Sequence, residues 1–142
     1  MTLSRDAKLV TGITLLTVPT IQYGGLTLLG VLTHGTAGMT PGGLVLDETQ
    51  WALWRAGHAH AGVWLILSLI IQLLLDSSKL TASWKWLARI AAPLAAVSVS
   101  GGFFGVAFLP GFRWLLYFGA VCLFFAVITS GIGLLRNLRP AD

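Results

Sequence analysis

Read for hydrophobic and polar positions alone, the chain is four long apolar runs separated by short polar breaks. Uncharged, mostly apolar stretches cover about 9–33, 56–75, 90–109 and 114–135. Each reaches the roughly 20 residues that a helix needs to cross the hydrocarbon of a bilayer. Together with their flanks they predict spans over about 9–33, 51–75, 87–109 and 114–135 within a single domain, 1–142. Backbone groups inside a bilayer must be hydrogen-bonded internally, so the runs predict helices. The connections predict an all-α integral membrane protein, four transmembrane helices in an up-down-up-down bundle.

The breaks sharpen this picture. Pro19, Gln22, Tyr23 and the pair Gly24-Gly25 predict a kink within the first span. The segment from His34 to Gln50 is rich in Gly, Thr and Pro and reads as a loop, with Asp47 expected to cap the second span and Gln50 three residues on to complete the cap. Trp84-Lys85-Trp86 reads as an interfacial anchor opening the third span, with Pro93 expected in that span's first turn. Gly101, Gly102 and Gly105 have the small-residue spacing that lets membrane helices approach closely, and are expected to pack within the bundle. Arg113, Trp114 and Tyr117 read as a second interfacial belt, and the third and fourth spans read as scaffold without an interior ionisable group.

Composition adds scale. Of 142 residues 56% are hydrophobic and 10% charged, against about 25% charged in a soluble domain. The net charge of +4 is explained by its distribution, not by nucleic acid as a partner. Arg5, Lys8, Lys79, Lys85, Arg89, Arg136 and Arg139 fall on one side of the predicted topology, whereas Arg55, Arg113, Asp47 and Glu48 fall on the other. The positive-inside rule then predicts cytoplasmic N- and C-termini in the plasma (inner) membrane, with the lipid bilayer as the first partner. The first apolar run is too long for a signal-peptide core and lacks an A-x-A site, so it is expected to be retained. A single cysteine, Cys122, excludes an intramolecular disulfide and a cysteine-based metal cluster.

The candidate chemistry lies in Arg55-Ala56-Gly57-His58-Ala59-His60. On a helix Arg55, His58 and Gly62 share one face, while His60 points roughly 200° from His58. All three histidines, His34, His58 and His60, are expected at one rim. Gly62, one turn from His58, leaves room for a flat ligand. A metal ligated by His58, His60 and His34 would require the helix to unwind near Gly57.

Arg55 and His58, followed by a small residue, a polar residue and a long apolar run, resemble the R-x-x-H pattern opening the second helix of nitric oxide reductase and related haem-copper oxidase catalytic subunits. The resemblance covers ten to twenty residues of one helix. It implies that His58 is an axial ligand of a haem near the outer surface, paired with His34 or His60 or shared across a dimer axis, with Arg55 on a propionate. It also implies a place in a membrane redox complex, as an electron-transfer or redox-accessory protein. The third and fourth spans hold no histidine, so those families' gas-reducing site is excluded.

Two other classes stay open. One is a non-enzymatic accessory or assembly subunit, or a small-molecule-binding bundle, with structural histidines and a homo-oligomeric state open to it. The other is an enzyme similar to the trimeric membrane glutathione transferases, whose second helix carries an asparagine and a glutamate after its arginine; positions 59–63 here hold neither. Gln22, Tyr23, Gln72, Ser98 and Ser100 read as interhelical hydrogen-bonding groups.

Overall fold

The computed structural model describes residues 2–39 and 43–138. Five α-helices make four spans: α1 (Arg5–Leu16) and α2 (Val18–Leu32), which together form the first span, α3 (Glu48–Asp76), α4 (Ala82–Val106) and α5 (Arg113–Leu135). Each span is long and apolar enough to cross a membrane, and no strand occurs among the described residues. The protein is a four-helix membrane bundle. Arg139, counted above among the cations of one side, lies outside the described residues.

The expected kink is an interruption of one residue. α1 ends at Leu16, Thr17 turns, and Pro19 sits at the second position of α2, where its missing N–H costs nothing. At the other end of α2, His34 takes a left-handed backbone (φ 51°). Its N–H donates to the Val31 carbonyl, and the Gly35 N–H donates to the Gly30 carbonyl at 2.8 Å. This is the Schellman closure of a helix, with histidine at the position glycine usually takes. The expected cap of α3 is present in both directions: the Gln50 N–H donates to Asp47 Oδ1 at 2.8 Å, and the Asp47 N–H donates to Gln50 Oε1 at 3.0 Å. Gln50 also donates from Nε2 to the carbonyl of Ala107, tying the start of α3 to the end of α4.

α4 is the central helix, and its inward face is small. Ala88, Ala91 and Ala92 pack with Ile71, Leu75 and Ala126 to form the core. Small residues bring α4 and α5 together because backbones, not side chains, set the distance. A Cβ on Gly102 would lie 2.8 Å from the Leu116 nitrogen, and one on Gly119 would lie 2.8 Å from the Val99 nitrogen. The Gly101–Gly105 cluster therefore packs within the bundle, as its spacing predicts.

Two expectations about α4 need correction. The helix begins at Ala82, so Pro93 lies in its middle and not in its first turn. Arg89, counted above among the cations of one side, lies in α4 and is 2% exposed, so the third span does carry an interior ionisable group. The two facts are coupled. Proline has no N–H to give to the carbonyl four residues back, which orphans the Arg89 carbonyl; the buried Gln72 side chain of α3 donates to it from Nε2 at 3.0 Å. In return Arg89 Nη1 donates to the Gln72 carbonyl and to Gln72 Oε1, at 3.1 and 3.2 Å. Its Nη2 forms an ion pair with Asp76, the last residue of α3. Asp76 also accepts from Ser4, whose N–H and hydroxyl each donate at 2.8 Å. The start of the first span, the end of α3 and the first half of α4 are thus joined through one carboxylate.

Candidate functional site

Gly57 is the contact point from which the site is built. It is buried, and a Cβ there would stand 3.2 Å from the Ser100 carbonyl and from the side chains of Phe103 and Phe104. Close approach of α3 to α4 at this level places the next residue, His58, beside the seam between α4 and the first span. The half-buried His58 ring lies against Gly24 and Gly25 of α2; a Cβ on Gly25 would fall 3.1 Å from His58 Cε1 and 3.3 Å from Nε2. The glycine pair expected to loosen the first span therefore makes room for an imidazole.

His58 lines an apolar cavity of about 530 Å³ bordered by α1, α2, α3 and α4 and open at the bundle surface. Ile13, Thr14 and Thr17 close it on one side, Ala61 and Leu65 on α3, and Pro93, Ser100 and Phe104 on α4. Thr17, the residue between α1 and α2, lies on the wall of this space. Among the described residues His58 is the only titratable one on the cavity wall, which carries no Lys, Arg, Asp or Glu. Its imidazole has no hydrogen-bond partner among the described residues.

The other sequence-predicted residues go elsewhere. His60 points to the opposite side of α3, as the helical spacing predicts. Its Nδ1 donates to the Ala56 carbonyl at 2.7 Å, which assigns the proton to that nitrogen, and its ring packs on Phe103 with centroids 4.8 Å apart. His34 is exposed and serves as the cap of α2; with Trp51 it borders a separate, smaller hollow. Arg55 is exposed, makes no ion pair among the described residues and does not line the cavity. Gly62 faces open space, with nothing within 4 Å of a Cβ built there. No group of three metal-ligating side chains occurs among the described residues, so the trihistidine metal site does not form. The reason is the regular helix through Gly57, which keeps His58 and His60 on different faces.

Ser100 is the site residue that sequence reasoning classed differently, as interhelical hydrogen-bonding. It is 6% exposed, and its hydroxyl has no partner. A serine inside a helix ordinarily returns its proton to the carbonyl four residues back, as Ser130 does to Ala126 at 2.7 Å. Ser100 does not. Of the buried hydroxyls without a partner, Ser100 alone lies on the cavity wall. Gln22 and Tyr23 are exposed on the outside of α2, away from the interhelical role expected of them.

The chain matches no protein-family model, no curated protein and no solved structure.

Proposed function

We propose that the chain is a small-molecule-binding membrane bundle, with the cavity between the first span and α3–α4 as the binding site and His58 as the residue that orients the occupant. The observation that carries the reading is an imidazole without a partner on the wall of an apolar space of about 530 Å³. That volume falls in the range of small-molecule sites, which are apolar with a few polar groups that set orientation.

A haem held by two histidines of one chain does not fit these residues. His60 has its Nδ1 bonded to its own helix and faces Phe103, and His34 caps α2 outside the cavity. The cavity wall also offers no cation for a propionate, since Arg55 is not part of it. A haem shared between two copies through His58 is the second reading, supported by the R-x-x-H string and by the exposure of Arg55. Orientation follows from charge: Arg5, Lys8, Lys79, Lys85 and Arg136 lie at the end of the bundle that carries Ser4 and Asp76, which we assign to the cytoplasmic side of a plasma (inner) membrane.

Native mass spectrometry of protein released from membranes in mild detergent tests the reading. A bound small mass is expected on the wild type and is expected to be lost from Ala61→Phe, which fills the cavity. An absorption spectrum of the same sample separates the two readings, because a Soret band would establish the shared haem. Wild type and Ala61→Phe that are equally bare would overturn both.

A further inference from the structure

We infer that the cavity takes a neutral, ring-bearing lipid with carbonyl oxygens, a quinone, held by a hydrogen bond from the His58 imidazole. The inference rests on the cavity reading above and adds the chemical class of the occupant.

Charge on the wall decides the first property. No Lys, Arg, Asp or Glu lines the cavity, and an ion taken from water into such a space without a partner is strongly disfavoured. Phospholipid headgroups, fatty-acid carboxylates and propionates are excluded on that ground. Hydrogen-bonding capacity decides the second. One polar side chain faces the space without a partner, His58, with one ring N–H when neutral; the Ser100 hydroxyl oxygen is closed off from it. That N–H can donate, so a ligand that presents an acceptor oxygen satisfies it, and an oxygen-free hydrocarbon does not.

The remaining wall decides the shape. Thr14, Thr17 and Thr20 also line the cavity, but their hydroxyl protons are already given to the carbonyls of Val10, Thr14 and Thr17 at 2.6 to 2.7 Å. They contribute methyl groups and weak acceptors. Gly24, Ala61 and Gly101 leave flat wall, and Phe104 adds an aromatic one, a lining suited to a ring. Ile13, Ile90, Leu94 and Val97 extend the space as an apolar track, and Ile13, Ile90, Leu94 and Val97 are themselves exposed on the bundle surface. An isoprenoid or alkyl tail would leave the cavity along that track into lipid.

The test is a native mass spectrometry titration of the full chain in one detergent with three probes: a decyl-substituted benzoquinone, decylbenzene and decanoate. The benzoquinone is expected to bind one copy per chain, with His58→Phe weakening it about threefold to tenfold, the effect of one neutral hydrogen bond. Decylbenzene bound as tightly as the quinone, and displaced by Ala61→Phe, would overturn the class while leaving the cavity reading intact. Preference for decanoate would overturn neutrality. Absence of binding by every probe, in wild type and Ala61→Phe alike, would sink the cavity reading itself.

Discussion

Removing the carboxylate of Asp76 should cost the bundle about 3 kcal/mol. Arg89 is 2% exposed, and four acceptors surround its guanidinium: Asp76, the Gln72 carbonyl, Gln72 Oε1 and Ser4 Oγ. Asp76→Ala takes away the only charge among them and leaves a buried cation with neutral partners. Breaking a buried pair in this way costs about 3–5 kcal/mol, and the two Gln72 acceptors hold the value at the lower end. Arg89→Met leaves Asp76 with two bonds from Ser4 and should cost somewhat less, about 2 kcal/mol. Because an apolar replacement of both partners is often nearly neutral, the double variant should lose at least about 2 kcal/mol less than the sum of the singles. Reversible unfolding in mixed micelles at increasing sodium dodecyl sulfate measures all three. Single variants within about 0.5 kcal/mol of wild type, or strictly additive losses, would refute the view that this end of the bundle is held by one buried ion pair.

Gln72→Leu should cost about 1–3 kcal/mol by orphaning the Arg89 carbonyl that Pro93 leaves free; pairing it with Pro93→Ala, which restores the helical donor, should recover part of the loss in the same assay. Gly102→Leu places atoms against the Leu116 backbone and should lower the thermal midpoint sharply, and an unchanged midpoint would show that α4 and α5 do not meet there. His34→Gly should stabilise the protein by up to about 1 kcal/mol, because the Schellman position is left-handed; loss of a bound mass on this change would instead give His34 a ligand role. On the topology assigned above, a cysteine at the exposed Val45 in a Cys122→Ala background should be labelled by a membrane-impermeant maleimide from the outside of intact cells, and labelling only after lysis would reverse it.

The spans, the glycine contacts between α4 and α5 and the Asp47–Gln50 cap were legible because each depends on residues close in sequence or on apolar length alone. Arg89 was misread for the same reason. A local pattern places a cation at the end of an apolar run on one side of the membrane, and only the meeting of α3 with α4 shows that Gln72 and Asp76 wait for it inside. The opposite facing of His58 and His60 followed from helical spacing, whereas the gathering of all three histidines at a single site did not. His34 is fixed by the way α2 ends, which rests on backbone conformation and leaves no mark in residue periodicity. Ser100 carried a weak signal: a small polar residue beside a glycine pair in an alanine-rich helix, whose place on the cavity wall depends on how the first span packs against α4.

The central claim is that one histidine of three faces an occupant, and nitrogen NMR of the protein labelled at histidine tests it most directly. With only His34, His58 and His60 to assign, each imidazole can be identified from a single substitution and followed as the benzoquinone probe is added. The account predicts that the His58 ring nitrogens shift on binding while His60, bonded to the Ala56 carbonyl, and His34, outside the cavity, stay in place. A shift confined to His34 or His60, or no shift in any of the three at saturating probe, would contradict it.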